Sequence, residues 1–153
     1  MIAVMSDSAT APDLDGWRRG VDTAYIYILT LFFAGVVVQV FLAGVGAFGD
    51  HAAKIDKASS FDPHRAMASV LQVVALVLLI LSILARESRR TWVATLVLAV
   101  LTIAAQPLLA AGGDSSKWVG GLHALDGIII LGFSGGMTGM AHRRLKARRT
   151  VAA

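Results

Sequence analysis

The sequence predicts an all-α membrane protein, an antiparallel bundle of four transmembrane helices. Three observations predict this fold class. Hydrophobic residues make up 56% of the 153 residues and charged residues only 16%, which is less charge than a soluble domain of this length carries. The apolar residues fall into four long runs separated by short polar loops. Basic residues concentrate beside alternate loops, as the positive-inside rule expects of a multi-pass protein.

Each apolar run is long enough to cross a bilayer as an α-helix, because about 30 Å of hydrocarbon takes roughly 20 residues. The runs cover about 24–48, 66–85, 92–111 and 118–141. A lipid-exposed strand is excluded, since its backbone would lack hydrogen-bond partners. Pro107 is expected to kink or end the third helix. The expected parts are a cytoplasmic segment 1–22, a membrane bundle 23–142 and a basic cytoplasmic tail 143–153.

The distribution of Lys and Arg predicts the orientation of the chain. Ten of the 14 basic residues lie on one side of the predicted membrane, namely Arg18, Arg19, Arg86, Arg89, Arg90, Arg143, Arg144, Lys146, Arg148 and Arg149. The other four are Lys54, Lys57, Arg65 and Lys117. Positive charge favours the cytoplasmic side, so we expect a plasma-membrane protein with both termini in the cytoplasm. Basic residues placed in this way argue against nucleic-acid binding. The absence of cysteine excludes thiolate metal sites and cysteine nucleophiles.

The chain contains a repeated pattern that predicts two similar helical hairpins. The first and third runs each carry a glutamine followed seven residues later by a glycine, and the next run opens with a histidine. Internal repeats of this kind are common in membrane proteins. The residues of the pattern are Gln39, Gly46 and His64 in the first hairpin and Gln106, Gly113 and His123 in the second.

The polar residues of this pattern fall at one level of the predicted bundle, near the outer face. An unpaired amide or imidazole in lipid costs several kcal/mol, so these side chains are expected to face inward. Two histidines on separate helices of a bundle commonly hold a haem. We therefore expect His64 and His123 to be the metal ligands of a b-type haem, with Ala68 and Gly127 leaving room for it. The other predicted cofactor-binding residues are Gln39, Gln106, Asp126 and Arg65.

Asp126 lies three residues after His123 within the fourth apolar run. A carboxylate inside the membrane is energetically costly, so a functional role is the default expectation. In that role it either orients His123 as a hydrogen-bond acceptor or carries a proton. The structural alternative is an acid near the interface, paired with Arg65 or Lys117. The histidines have a comparable alternative, as interfacial residues or hydrogen-bond donors to a loop.

The pattern of Gln, Gly and His resembles one four-helix half of haem A synthase. In that family the paired histidines of each half bind haem, which implies the same role for His64 and His123. The resemblance covers most of this chain but half of that family's length. Phe61 stands where the catalytic half of the synthase has a glutamate, so the resemblance implies haem holding rather than haem oxidation. The chain is also similar to an uncharacterised family of small four-helix membrane proteins from actinobacteria.

Three functions of different classes remain open, and the sequence leaves undecided whether the chain is an enzyme. The first is a haem-binding protein in electron transfer, haem handling or oxidase assembly. The second is a non-catalytic accessory or scaffold subunit, which binds a membrane-protein partner or its own copy through glycines spaced as GxxxG. The third is a component of a small proton-coupled transporter built on Asp126 and the histidines. The glycines are Gly132, Gly136, Gly135 and Gly139.

Overall fold

The computed structural model describes residues 16–53, 60–113 and 115–151, and these ranges are all-α. Four helices are long and apolar enough to cross a membrane, which confirms the predicted helical membrane class. Lys54 and Lys57 of the predicted outer loop lie outside the described residues. The helices are α1 (Gly16–Ala53), α2 (Asp62–Leu84), α3 (Arg89–Gly113) and α4 (Lys117–Val151).

The first and last helices extend well beyond the apolar runs that predict them. Helix α1 begins at Gly16, eight residues before the predicted run, and α4 continues through the basic tail to Val151. The tail residues after Ala141 are mainly Arg, Lys, Leu and Ala, which favour helix, and Gly and Pro are absent from them. The charged residues near both ends are therefore carried on helices.

The four helices form a closed ring in which each packs against two neighbours. Helices α1 and α3 each contact both α2 and α4. The buried core is mainly apolar and comprises Tyr25, Ile26, Leu29, Phe32, Val36, Leu71, Ala75, Leu78, Leu98, Ile130, Met137 and Ala141. Large apolar side chains such as Phe41 and Leu108 stay exposed on the outside. A continuous exposed apolar surface fits a bilayer, where lipid takes the place of water as the solvent.

Pro107 does not end α3, which continues for six further residues to Gly113. Helix α3 consists of Arg89–Val100, a π-helical turn over Leu101–Ala105, and Gln106–Gly113. In the π turn the Gln106 N–H bonds to the Leu101 carbonyl, five residues earlier. Proline has no N–H to donate, and the widened turn lies immediately before it. Such turns often occur at functional sites, and this one ends at a predicted site residue.

The short loop between α2 and α3 begins with a Schellman ending. Arg86 adopts a left-handed backbone conformation with φ of 51°. Its N–H donates to the Ile83 carbonyl, and the Glu87 N–H donates to the Ser82 carbonyl, which is the hydrogen-bond pattern of that motif. The turn directs Glu87 toward α4, where it is bound by Arg144.

The glycines of α4 face different surroundings. A Cβ atom added to Gly135 would lie 3.0 Å from the Phe33 ring of α1, so Gly135 serves packing within the chain. A Cβ atom added to Gly132, Gly136 or Gly139 would have no other atom of the described residues within 4 Å. These three glycines therefore leave one face of α4 uncovered.

Candidate functional site

The candidate site lies at the end of the bundle that carries His64 and His123, here called the histidine end. In its first half, Gln39 of α1 faces His64 of α2. The Gln39 Nε2 group donates to the His64 backbone carbonyl at 3.1 Å and lies 3.2 Å from the His64 Nε2 atom. The His64 Nδ1 donates to the Gln39 backbone carbonyl at 3.2 Å. One amide and one imidazole thus join α1 to α2 through backbone atoms of both helices.

Gln106 of α3 and His123 of α4 repeat this arrangement in the second half. The Gln106 Nε2 group donates to the His123 carbonyl, and the His123 Nδ1 donates to the Gln106 carbonyl, both at 3.1 Å. The difference is Asp126, whose Oδ2 accepts from Gln106 Nε2 at 2.9 Å. Met67 holds the corresponding position in the first half, so the Gln39 amide contacts the imidazole instead.

The glycines of the repeat allow close helix contact beside each histidine. A Cβ atom added to Gly46 would lie 2.5–2.9 Å from atoms of the Phe61 ring. A Cβ atom added to Gly113 would lie 3.2 Å from the Gly120 Cα atom. Phe61 and Gly120 each precede their histidine by three residues. The two halves therefore share this helix contact as well as the hydrogen bonds, which supports a repeated hairpin.

The backbone hydrogen bonds determine which imidazole nitrogen carries the proton. A carbonyl oxygen only accepts, so Nδ1 of both His64 and His123 must be protonated. In the neutral ring Nε2 then keeps its electron pair, which is the form that binds a metal. The electron pair on the His64 Nε2 atom accepts a hydrogen bond from the Gln39 amide. The His123 Nε2 makes no hydrogen bond to the part of the chain that the structure describes.

The two imidazole rings lie next to each other across the bundle. Their centroids are 6.3 Å apart and their planes are inclined by 74°. With nitrogen–metal bonds of about 2.0–2.1 Å, two imidazoles on opposite sides of one metal have their centroids about 6 Å apart. The separation therefore suits two ligands of one metal. Within 16–53, 60–113 and 115–151 no three His, Cys, Asp or Glu side chains form a metal-binding group.

A cavity of about 550 Å³ opens beside the histidines, which is within the usual range for small-molecule sites. Its walls include the small residues Ala68, Ala110, Ala111 and Gly120. A second cavity of about 60 Å³ is lined by Gln39, Gln106, Ala68 and Gly127. The Gln39 Oε1 atom is buried and has no hydrogen-bond partner among the described residues. Gln39 thus lines both cavities and has one polar atom without a partner in the described residues.

Asp126 and Arg65 take positions that the sequence did not specify. The Asp126 residue is only 6% exposed and accepts a hydrogen bond from the Gln106 amide, which also donates to the His123 carbonyl. Arg65 lines the larger cavity and pairs with Asp62 at 2.9 Å on the surface. The alternative pairing of Asp126 with Arg65 or Lys117 does not occur among the ion pairs of the described residues.

A cluster of charged residues that the sequence analysis missed lies at the opposite end, here called the arginine end. Arg144 of α4 donates to both Glu87 oxygens at 2.6 and 3.0 Å, and to Asp22 of α1 at 2.9 Å. Arg148 pairs with the other Asp22 oxygen. The Asp22 and Glu87 side chains are only 3% and 4% exposed. The sequence feature that could have indicated this cluster is the four-residue spacing of Arg144 and Arg148, which share one helix face if the helix continues into the tail.

Burial dominates the environment of Glu87 in this cluster. It raises the pKa of Glu87 above its ordinary value, the neighbouring Asp22 adds to the rise, and the Arg144 guanidinium opposes it. Two acids and two arginines balance each other here. Removing one partner of such a buried set leaves an uncompensated charge, which costs more than the set gains. The cluster therefore holds α1, α4 and the α2–α3 loop in one arrangement.

Comparison with known proteins gives one similarity. No curated protein matches the chain, and no solved structure matches it. Residues 39–112, just under half of the chain, match the model of a family of unknown function, DUF6220. The matched segment begins at Gln39, includes His64 and Gln106, and ends before His123. The chain is thus similar to that family over three of the four residues of the Gln–His site.

Proposed function

We propose that this small membrane protein holds a b-type haem between His64 and His123. The observation that carries the proposal is the pair of imidazoles from different helices, with centroids 6.3 Å apart and each Nδ1 bound to a backbone carbonyl. A haem with two histidine ligands suits one-electron transfer. The same binding would serve haem handling or the assembly of an oxidase.

The donor set suits a haem better than a bare metal ion. A haem brings four nitrogen ligands for its iron and takes its axial ligands from the protein, whereas zinc sites take three or four protein ligands. The described residues offer two imidazoles here and no third ligand. Bonds from Nδ1 to carbonyl oxygens are the outer contacts that metal-binding histidines usually have, and they orient the ring.

Binding would require one local change, at Gln39. Its amide donates both to the His64 Nε2 and to the His64 backbone carbonyl. We expect the amide to keep the backbone contact and to release the ring nitrogen when a haem binds. His123 needs no such change, because its Nε2 accepts no hydrogen bond from the described residues, and only its Nδ1 is bonded.

The resemblance to one half of haem A synthase supports haem as the cofactor and argues for binding without haem oxidation. Phe61 takes the place of the glutamate of the catalytic half, and its ring lies edge-on to His64 with centroids 6.2 Å apart. A phenyl ring transfers no protons. The proposed role is therefore to hold haem or to pass electrons.

We also propose the arrangement of the chain in the cell membrane, as an antiparallel bundle of two similar hairpins. The ten basic residues on one predicted side support a cytoplasmic location for both termini. The histidine end then lies near the outer face. The twofold occurrence of the Gln–His contacts supports the two hairpins.

An absorption spectrum of the full chain tests the haem proposal. The protein is expressed with added haem and purified in mild detergent, and we expect a Soret band. His64→Ala and His123→Ala should each abolish or shift it, because each removes one axial ligand. His142→Ala is the matched control, since His142 lies toward the arginine end beside the Thr30 hydroxyl. A haem-supplied wild type without a Soret band, or equal loss in all three variants, would remove the proposal.

An accessory or scaffold subunit is the second candidate, and the uncovered glycine face of α4 favours it. Gly132, Gly136 and Gly139 have space around them into which a partner helix can pack. Co-purification with a larger membrane complex and no chromophore would support this candidate over the first. Gly136→Leu should then release the partner, whereas Gly135→Ala, which faces Phe33 inside the chain, should not.

A further inference from the structure

A cavity of about 320 Å³ opens at the arginine end, between α1, α3 and α4. Part of its lining is polar and comes from Arg90, Thr91 and Arg144. The rest is mainly apolar and includes Leu29, Ala94 and Met137. On α4 the lining extends from Arg144 back to Met137, which is seven residues or about 10 Å along the helix. We call this cavity the arginine-end groove.

Helices α1 and α3 lie diagonally across the bundle, and at the arginine end they meet through side chains. Helix α1 makes its backbone contacts with α2 and α4 and none with Arg89–Val100. The two helices are bridged by a hydrogen bond of 2.7 Å between the hydroxyl groups of Tyr25 and Thr95. Both residues are only 1% exposed. This hydrogen bond holds Tyr25, which is part of the lining of the groove, in a fixed position.

Arg90, in the polar part of the groove, carries a positive charge that no carboxylate of the described residues neutralises. Asp22 and Glu87 are already bound by Arg144 and Arg148. Arg90 forms no ion pair with the described residues. The Arg144 Nε atom is buried without a hydrogen-bond partner, while the other two guanidinium nitrogens serve the two acids. An anion at the mouth of the groove would pair with the Arg90 guanidinium.

The groove lies at the level where lipid headgroups meet hydrocarbon. Arg90 belongs to the first turn of α3, just outside the apolar part of that helix. Trp92, which follows it, is 37% exposed, and partly exposed tryptophan is typical of the membrane interface. Met140 on the α4 wall is 58% exposed, so the apolar part of the groove opens toward lipid.

We propose that the arginine-end groove binds one anionic phospholipid. The phosphate accepts hydrogen bonds from the Arg90 guanidinium, and the upper part of an acyl chain packs against Ala94 and Met140. The combination of the Arg90 guanidinium with a mainly apolar lining fits this amphipathic occupant. The proposal depends on the membrane setting of the chain and not on the haem.

Native mass spectrometry of the full chain tests the lipid proposal. The protein is released from nanodiscs that contain equal amounts of phosphatidylglycerol and phosphatidylcholine, and we expect it to retain phosphatidylglycerol preferentially. Arg90→Gln should reduce this retention about fivefold, the effect of one cationic side chain near the membrane surface. Arg89→Gln is the matched control, because the neighbouring arginine does not line the groove. Equal loss in both variants, or no preference in the wild type, would overturn the proposal.

Two further measurements separate a lipid from a free anion. Ala94→Leu narrows the apolar part and leaves every charge in place, so it should reduce phosphatidylglycerol retention at least as much as Arg90→Gln does. Inorganic phosphate alone should raise the melting temperature of the wild type much less than phosphatidylglycerol does. If inorganic phosphate stabilises it equally and Arg90→Gln removes that effect, the groove is a site for a free anion and the lipid proposal fails.

Discussion

At the scale of single residues, the polar side chains of the bundle act in pairs that connect neighbouring helices. The Gln106 amide donates to two residues of α4, to the His123 backbone carbonyl and to the Asp126 carboxyl. Gln39 has no acid to serve, since Met67 stands at the position that corresponds to Asp126. A buried polar group that loses its partner costs more than the bond itself contributed.

Gln106→Met should therefore destabilise the protein chiefly through Asp126. The variant leaves a carboxyl that is 6% exposed without its partner, which should lower the free energy of unfolding by about 1–3 kcal/mol. Unfolding in detergent with increasing SDS measures this change. Adding Asp126→Met, which copies the first hairpin, should recover part of the loss because the orphaned acid is gone. A double variant that is less stable than Gln106→Met alone would contradict this explanation.

The depth of these residues was predictable from the sequence, and their bonds were not. The rise per residue of a helix sets how deep a side chain lies, so two glutamines and two histidines were expected at one level. Which atom meets which depends on the rotation of each helix, and packing of all four helices sets that rotation. Asp126 was accordingly expected beside His123 or a basic residue, and it binds Gln106 instead.

At the scale of helices, glycine decides how closely α1 and α2 approach at the histidine end. Gly46 meets the Phe61 ring, whereas a Cβ atom at Gly44, half a turn away in the same helix, would have no described atom within 4 Å. The Ser60 hydroxyl adds a hydrogen bond of 2.9 Å to the Gly46 carbonyl. The contact thus holds the start of α2, and with it His64.

Gly46→Ala and Gly44→Ala form a matched pair that tests this contact. The first places a methyl group 2.5–2.9 Å from Phe61 ring atoms, and the resulting overpacking should cost about 1–3 kcal/mol. The second meets open space and gains helix propensity, up to about 1 kcal/mol. Melting temperatures in detergent should fall for Gly46→Ala and stay level or rise for Gly44→Ala. Equal melting temperatures would show that the close contact is absent.

The apolar runs predicted the membrane-spanning parts of the helices but not the helix ends. Hydropathy marks the part of a helix that lies in hydrocarbon, while the helix itself continues as long as local propensity and contacts support it. Helix α4 continues because its tail residues favour helix and because Arg144 and Arg148 bind Asp22. The π turn before Pro107 could not be predicted either, since a missing N–H is compatible with a kink, an end or a widened turn.

At the scale of the whole molecule, two polar ends are separated by an apolar belt. Four apolar spans gave the helical membrane class directly, because lipid as solvent leaves few alternatives. The charge cluster at the arginine end could not be predicted from the sequence. Arg144 lies 57 residues from Glu87 and 122 residues from Asp22 in the chain, and pairing over such distances follows only from the assembled bundle.

Cysteine labelling tests the proposed orientation of the molecule. The chain has no cysteine, so one introduced thiol reports one position. Ser115→Cys, in the exposed connection before α4, should react with a membrane-impermeant maleimide added to intact cells. Thr150→Cys, exposed near the end of α4, should react only after the cells are opened. The reverse pattern would show that the basic residues face outward.

The long separation between Arg144 and its two acids bears on how the protein is made. Translation proceeds from the amino terminus, so Asp22 and Glu87 have been synthesised before the guanidinium groups that hold them. While α4 is still being synthesised, these two carboxylates lack Arg144 and Arg148, the arginines that bind them in the finished bundle. The charge cluster of the arginine end can form only after α4 has been synthesised. A chain interrupted before α4 would therefore leave Asp22 and Glu87 without the two arginines that bind them.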